Sequence, residues 1–158
     1  LFQGSALYDS MSVRENLEFP LRRHTKKFGV IEDTTPLVME ALDSVGLGNT
    51  IDLMPNELSG GMKRRIALAR TLILKPKIIL YDEPTSGLDT ITSREIDELI
   101  LEIQKKRETT SIIITHDLAC ARITGNRIMI IKDGVINAEG SYDELKNSSD
   151  SWVKSFFK

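Results

Sequence analysis

The chain contains 158 residues, of which 41% are hydrophobic and 28% are charged, and its formal net charge is −2. This balance is ordinary for one globular domain, and it argues against an intrinsically disordered chain and against a nucleic-acid-binding domain, which usually carries a basic excess. No apolar run approaches the ~18 residues of a membrane span, and the N-terminus lacks the pattern of a secretory signal peptide. The single cysteine, Cys120, excludes a disulfide framework, and we expect it to be a small core residue.

The first half of the chain has the pattern of helices. A capping box over residues 12–15 starts a helix that Pro20 should end. Pro36 fits the first position of a second helix, and Gly46 should stop it. A third helix is predicted over about residues 61–74. The apolar stripe of the second helix consists of Val38, Ala41, Leu42 and Val45, and that of the third of Ile66, Leu68, Ala69, Leu72 and Ile73.

The second half of the chain alternates between strand and helix patterns. Residues 77–81 and 111–115 are continuous apolar runs, which predict parallel strands buried on both faces. A helix is predicted between them over residues 92–106, and a short helix over residues 117–123 follows the second strand. The apolar stripe of the longer helix consists of Ile96, Leu99, Ile100 and Ile103.

The last part of the chain predicts a hairpin and terminal helices. The turn dipeptide at residues 133–134 lies between two apolar runs, which favours a hairpin. A second capping box over residues 141–144 starts another helix. We expect the tail to pack on the body as a last helix through three aromatic residues, Trp152, Phe156 and Phe157.

Two segments carry residues suited to phosphate and metal chemistry. Ser59, Gly60 and Gly61 open the third helix, where glycines let backbone N–H groups approach an anion and the helix dipole favours negative charge. Asp82 and Glu83 end a strand, at the edge where α/β sheets bind ligands. One acid there can hold Mg²⁺ through oxygen contacts, and its neighbour, which points the other way, can orient a water.

Two further residues follow from the same sheet geometry. His116 ends the next strand, so we expect it at the same sheet edge as Asp82 and Glu83, where it can meet a phosphate. Asp89 is an exposed acid in the loop between the two strands. Each feature taken alone also fits a structural role: a plain helix cap, acids that close strand ends, or a structural histidine.

In this order and at this spacing the segments resemble the ATP-binding-cassette (ABC) ATPases, and the match extends over the whole chain. Residues 58–61 resemble the signature motif, residues 78–84 Walker B, residues 86–89 the D-loop and residues 115–117 the switch-histidine motif. Residues 2–4 resemble the Q-loop. They also resemble part of a protease-recognition linker, but the residues that follow continue the family pattern without a break.

The resemblance implies a role for each residue in phosphoryl transfer from ATP. Asp82 would hold Mg²⁺ through water, Glu83 would polarise the attacking water, and His116 would contact the γ-phosphate. Gln3 would sense both Mg²⁺ and the nucleotide.

The resemblance also implies that two ATPase subunits act together, as a homodimer. Ser59, Gly60 and Gly61 would bind the γ-phosphate of ATP held by the opposite subunit, and Asp89 would cross the interface between the two. A transmembrane permease subunit would be the other partner, which places the protein in the cytoplasm, peripheral on the inner face of the membrane. Candidates for the permease groove are Tyr8, Met11, Val13 and Leu17.

The implied fold is α/β: the C-terminal part of the P-loop NTPase (RecA-like) core of an ABC ATPase, together with its helical subdomain. Residues 1–9 would form the Q-loop segment, residues 10–75 the helical signature subdomain, and residues 76–158 the C-terminal half of the core. None of the ten glycines is followed by lysine, so the Walker A pattern and the strands before it are absent. We therefore expect this chain alone to be inactive, and its bare sheet edges to favour an oligomer or a domain-swapped dimer.

The resemblance predicts the ATPase subunit of an ABC transporter. Residues 62–65 read Met-Lys-Arg-Arg where Gln-x-Gln-Arg is commoner. Together with residues 6–11, 13–16 and 20–22 they are similar to the Mce/toluene-tolerance branch, whose members help move phospholipids or other lipids across the cell envelope. Two alternatives remain: a catalytically silent interaction fragment, and a soluble ABC ATPase that is not part of a transporter.

Overall fold

The computed structural model describes residues 6–24, 29 and 31–157. Gln3 and the rest of the segment predicted as the Q-loop, up to residue 5, lie outside this part of the chain. The first half is helical, with α1 (Val13–Arg23), α2 (Thr35–Asp43), 3-10 turns at Gly48–Thr50 and Pro55–Glu57, and α3 (Gly60–Leu72). The second half consists of β1 (Ile78–Asp82), α4 (Thr90–Arg107), β2 (Thr110–Ile114), α5 (Leu118–Thr124), β3 (Ile128–Lys132), β4 (Val135–Gly140), α6 (Tyr142–Lys146) and α7 (Ser151–Ser155).

The strands form two separate pairs. β1 and β2 are parallel, with Asp82 opposite Ile114, and α4 makes the crossover between them. β3 and β4 form the predicted antiparallel hairpin. Its turn residues Asp133 and Gly134 have φ values of 50° and 80°, the left-handed backbone that a two-residue hairpin turn needs.

The stripes predicted from the sequence form one continuous core. All residues of the second, third and longer crossover-helix stripes are buried, and they pack in a cluster that also contains Ile79 and Tyr81 of β1. Cys120 is fully buried, as predicted. The core therefore runs without a break from the helical part into the α/β part of the chain. The domain boundary between residues 75 and 76 stays a prediction.

One face of the parallel pair is exposed, which corrects the prediction that both strands are buried on both faces. Ile79 and Tyr81 are each 1% exposed, but Ile78 and Leu80 are 60% and 61% exposed. On β2, Ile112 and Ile114 are exposed in the same way. Because side chains alternate along a strand and the helical core covers only one side, the apolar run lies half in the core and half at the surface.

Pro20 does not end the first helix, which also corrects the prediction. α1 continues through Pro20 to Arg23. Leu17 and Leu21, one turn apart, are 0% and 3% exposed, and the Arg22 guanidinium lies 2.6 Å from the buried Glu18 carboxylate. Burial of Leu21 and this ion pair keep the last turn helical despite the hydrogen bond that proline removes.

Asn16 organises the segment that precedes α1, a role that no pattern in the sequence indicates. Its Nδ2 donates to the carbonyl oxygens of Tyr8, Met11 and Ser12 at 3.0–3.1 Å. Its Oδ1 accepts from the Tyr8 backbone N–H at 2.9 Å and from Arg70 Nη1 at 3.4 Å. Asn16 is fully buried, so these bonds hold residues 8–12 against α1 and α3 in a place from which water is excluded.

We predict that Asn16→Ala lowers the free energy of unfolding by about 2–4 kcal/mol, because several buried polar groups lose their partner at once. Asn147→Ala is the matched control, since Asn147 makes one exposed bond, from Nδ2 to the Asp143 carbonyl oxygen at 2.9 Å. It should cost less than about 0.5 kcal/mol. Chemical denaturation of the two variants and the parent measures both values, and equal losses would contradict the role assigned to Asn16.

Candidate functional site

The carboxyl ends of β1 and β2 bring Glu83 and His116 together. Glu83 follows the last residue of β1, and His116 comes two residues after the end of β2. Glu83 Oε1 accepts a hydrogen bond from the His116 backbone N–H at 3.1 Å and lies 2.9 Å from His116 Nδ1. The expectation that these side chains share one sheet edge is therefore confirmed.

The backbone of Glu83 is left-handed, with φ 46°. This conformation costs a non-glycine residue about 1 kcal/mol. Two hydrogen bonds hold it: the Glu83 N–H donates to the Ile114 carbonyl at 2.9 Å, and the Glu83 carbonyl accepts from Ser86 at 3.2 Å. The turn carries the side chain toward β2. The sequence did not indicate it, because glutamate has no preference for this backbone region.

The electrostatics of the pair favour a charged histidine. The hydrogen bond that the Glu83 carboxylate accepts from the His116 ring, together with the negative charge of that carboxylate, raises the pKa of His116. The His116 side chain is 80% exposed, whereas that of Glu83 is 18% exposed. Glu83 Oε2 is buried and has no hydrogen-bond partner among the residues described, so the contact with His116 satisfies only one of the two carboxylate oxygens.

A cleft of about 1030 Å³ opens beside this pair, between α4, α5 and the loop that follows β1. Glu83 and His116 line it, as do Arg94, Asp97 and Arg122. Asp97 is 1% exposed, and burial raises the pKa of its carboxyl group. No motif in the sequence marks Asp97 as functional, and its position next to Ile96 in the apolar stripe of α4 is the one sign of its burial.

Asp82 lies apart from the pair. It is exposed at the end of β1 and is not part of the cleft lining. Within residues 6–24, 29 and 31–157, no three His, Cys, Asp or Glu side chains are grouped so as to hold a metal ion. The roles predicted for Asp82 and Gln3 in metal binding stay predictions.

The start of α3 packs against the loop before α4 and against the first turn of α4. Ser59 is exposed and caps the helix, since its Oγ accepts from the Met62 N–H at 3.2 Å. A Cβ atom on Gly60 would lie 3.5 Å from Leu88 Cδ2, and one on Gly61 would lie 2.6 Å from Thr92 Cγ2. Gly61 therefore has a packing reason to be glycine, beside its predicted role in phosphate binding.

Asp89 caps the N-terminus of α4. Its Oδ1 accepts from the backbone N–H groups of Ile91 and Thr92, each at 3.0 Å, and its Oδ2 accepts from Thr92 Oγ1 at 2.6 Å. These bonds, that of the Thr92 hydroxyl foremost, lower the pKa of Asp89. The structure thus gives Asp89 a capping role within the chain. Its role between subunits stays a prediction.

The chain is similar to ABC transporter proteins, whose family profile matches residues 1–86. It is 40% identical to the "Probable ribonucleotide transport ATP-binding protein mkl" of Mycobacterium leprae, over 99% of this chain and 44% of that protein. It is 39% identical to the "Intermembrane phospholipid transport system ATP-binding protein MlaF" of Escherichia coli strain K12, over 99% of this chain and 57% of that protein. The chain thus spans about half the length of these relatives.

A solved structure agrees with the fold. The dimeric, post-hydrolysis structure of the ATP-binding cassette MJ0796 with ADP and Pi superimposes with a TM-score of 0.76 and 34% identity. The match covers 89% of this chain and 61% of the other. The α/β fold expected from the sequence, that of an ABC cassette core, is therefore confirmed. None of the helices in the described part of the chain combines the length and the apolar character needed to cross a membrane.

We predict that Glu83→Gln lowers the pKa of His116, because it removes the negative charge that favours the imidazolium. In the parent protein, the pair stabilises the folded state fully below the unfolded histidine pKa of about 6.5. That stabilisation is lost as the pH rises through the higher folded pKa. A histidine NMR titration measures the change.

The control for this titration is Glu98→Gln, which removes an acid that lines the same cleft and makes its ion pair with Arg94 instead. It should leave the pKa of His116 nearly unchanged. An equal fall in both variants would mean that the general charge of the cleft, and not the contact with Glu83, sets the pKa.

Proposed function

Because the chain belongs to the ABC transporter family, we propose that it forms the signature, Walker B, D-loop and histidine part of an ATP-hydrolysing transporter subunit. The observation that supports this most directly is the contact between Glu83 and His116. It lies at the carboxyl edge of a parallel sheet, where ligands bind in α/β folds.

Glu83 is the proposed general base. One carboxylate oxygen is held by His116, and the other is buried without a hydrogen-bond partner in the described part of the chain. A water held by this carboxylate would be oriented toward the γ-phosphate of ATP. His116, which is exposed and tends to carry a positive charge, would donate a hydrogen bond to the same phosphate. Both residues act by position and charge, as phosphoryl transfer requires.

Asp82 is the proposed Mg²⁺ ligand. Its carboxylate is exposed at the end of β1, one residue before Glu83. In nucleotide sites Mg²⁺ is bound by one or two carboxylates together with phosphate oxygens and waters, so a single exposed acid fits, and Gln3 would assist. When bound, Mg²⁺ would neutralise charge on the phosphates of the bound ATP.

The start of α3 is proposed to act on a second subunit. Ser59 and Gly60 are exposed there, where the N–H groups of a first helical turn and the helix dipole attract an anion. With Gly61 they would bind the γ-phosphate of ATP held by the partner copy. Asp89 lies at the end of the loop between β1 and α4, which packs against this helix start, and we propose that it lies at the same interface. The dimeric state of the MJ0796 cassette supports this arrangement.

Hydrolysis is proposed for the complete subunit. The 158 residues contain no Walker A sequence, whose lysine and backbone N–H groups hold the β- and γ-phosphates. We expect the chain by itself to bind nucleotide very weakly, to show no ATPase activity and to form an oligomer or a domain-swapped dimer.

The proposed transport substrate is a phospholipid or a related lipid of the cell envelope. The Escherichia coli relative is named for phospholipid transport, and residues 62–65 resemble that branch. The Mycobacterium leprae relative is named for ribonucleotide transport, so ribonucleotides are the second candidate. In either case a permease would hold the subunit at the inner face of the membrane. Purified transporter in vesicles, offered labelled phospholipid or labelled ribonucleotide, separates the two.

We predict that Glu83→Gln in the complete subunit lowers the ATP hydrolysis rate by at least ~10², because it removes the base and keeps the shape of the side chain. ATP should still bind, and should hold two subunits in a closed dimer. Turnover and ATP affinity, measured on the assembled transporter, test this together. Near-normal turnover, or a loss of affinity as large as the loss of rate, would remove Glu83 from the catalytic role.

Asp82→Asn is the matched variant at the neighbouring position. It should weaken the Mg²⁺ dependence and nucleotide binding rather than the chemical step alone. His116→Ala should impair turnover with less effect on affinity. Should all three variants lose activity only in proportion to thermal stability, the residues would serve to close the strand ends, and a catalytically silent protein would be the better interpretation.

Tyr8 and Met11 are the proposed permease contacts. Val13 and Leu17, expected beside them, are 0% exposed and belong to the core. Tyr8 is 43% exposed, and the centroid of its ring lies 4.8 Å from that of the Phe19 ring. Its backbone is held separately by Asn16, so the side chain can change without loss of the local fold.

We predict that Tyr8→Glu weakens co-purification with the permease and leaves the melting temperature within a few degrees of the parent. Phe156→Glu is the control, because Phe156 is also aromatic and 43% exposed. It should not affect the association. Unchanged co-purification of the Tyr8 variant would refute the contact, and if no permease co-purifies with the parent, a soluble ABC ATPase is the better interpretation.

A further inference from the structure

Arg64 links α3 to the loop between β1 and α4. Its Nη2 donates to the carbonyl oxygen of Ser86 at 3.0 Å, and the residue is only 3% exposed. Burial lowers the pKa of its guanidinium group, in keeping with an environment that contains little water. A hydrogen bond from a charged donor in such surroundings is stronger than a bond between neutral groups.

The loop that Arg64 reaches connects the two parts of the proposed site. Ser86 lies midway between Glu83, the proposed base, and Asp89, which caps α4. Inside the loop, the Ser86 N–H donates to the Glu83 carbonyl and the Leu88 N–H donates to the Thr85 carbonyl, each at 3.2 Å. Arg64 is the residue of α3 whose side chain holds the middle of this loop by a hydrogen bond to its backbone.

The contacts of α3 with the loop and with the first turn of α4 follow one face of α3. Gly60 and Arg64 are one turn apart, and Gly61 is next to Gly60. Gly60 approaches Leu88, Gly61 approaches Thr92, and Arg64 bonds Ser86. The helix start that would bind a phosphate therefore packs directly against the segment that carries Asp89. Of these three contacts, that of Arg64 with Ser86 is polar and the two glycine contacts are apolar.

The sequence departs from the commoner family pattern at this position. Residue 64 is arginine where Gln-x-Gln-Arg has its second glutamine. Glutamine is shorter and neutral, so it lacks both the reach and the charge of the arginine that bonds the Ser86 carbonyl. Arginine supplies both the length and a permanent charge.

We propose that Arg64 is a positioning residue that fixes the distance between the start of α3 and the loop of residues 83–89. Through this contact, Ser59, Gly60 and Gly61 on one side and Glu83 and Asp89 on the other move as one unit. The consequence for catalysis rests on the proposed function. The contact itself does not, so the two can be tested separately.

The contact is tested by hydrogen exchange of the full-length subunit without nucleotide. Arg64→Met removes the charge and the donors and keeps a long side chain. We expect the amides of residues 86–89 to exchange about tenfold faster, with no change in the buried part of α4. Arg65→Met is the matched control, because Arg65 is next on α3 but bonds Glu95 at 2.9 Å and the Val45 carbonyl at 3.3 Å. It should leave exchange in the loop unchanged.

Unchanged loop exchange in the Arg64→Met subunit, or a rise of the same size throughout α3 and α4, would overturn the proposal. Arg64→Lys keeps a charged donor on a shorter chain and serves if the Met variant does not fold. Arg64→Lys should retain part of the protection of the amides of residues 86–89. If these amides exchanged as fast in Arg64→Lys as in Arg64→Ala, which has no donor, the proposal would also be overturned.

The consequence for catalysis is tested by kinetics. We expect Arg64→Met to lower kcat about tenfold and to leave the affinity of the subunit for its own ATP within about twofold, because Arg64 is buried and is not among the residues proposed to bind nucleotide. A normal kcat with a loosened loop would overturn the positioning role. If the parent subunit hydrolyses no ATP while the loop still responds to Arg64, the proposed function fails and the structural link stands.

Discussion

The parallel pairing of β1 with β2 is the constraint on which the rest of the site depends. Its register sets Asp82 opposite Ile114, so both strands end at the same edge of the sheet and run in the same direction. Glu83 and His116 then come within 2.9 Å although they are 33 positions apart. A shift of one residue in this register would turn the alternate side chains to the other face, removing Ile79 and Tyr81 from the core and separating the pair.

Several residues of the candidate site have a structural role as well as a proposed chemical one. Ser59 caps α3, Asp89 caps α4 and Gly61 lets the two elements approach. These roles do not compete with ligand binding. A capped helix start keeps its N–H groups and dipole in a fixed direction, and a fixed direction is what recognition of a phosphate needs. Local stability and the geometry of the site therefore depend on the same side chains.

Long-range polar contacts hold the helical part of the chain in place around the apolar core. Asn16 binds the segment before α1, and Arg64 binds the loop after β1. Both side chains are buried, where a polar group without a partner is costly, so each fixes one arrangement of its neighbours. On the opposite side, the exposed face of β1 and β2 has no such organisation, and its apolar residues have no cover among the described elements.

Most elements of the fold could be predicted from the sequence, because the spacing of apolar residues reports which side of a helix or strand is buried. That spacing located the stripes of α2, α3 and α4, and capping boxes located the starts of α1 and α6. The order of motifs identified the family, and strand ends at one sheet edge already implied that Glu83 and His116 would meet. The tertiary structure alone decided the rest. Packing of Leu21 carried α1 through Pro20, and the helical core covered only one face of β1. The left-handed turn at Glu83 and the partners of Asn16 and Arg64 depend on groups up to 54 positions away. The physical reason is that local patterns record burial and backbone preference, whereas hydrogen-bond partners are set only when separate elements pack together.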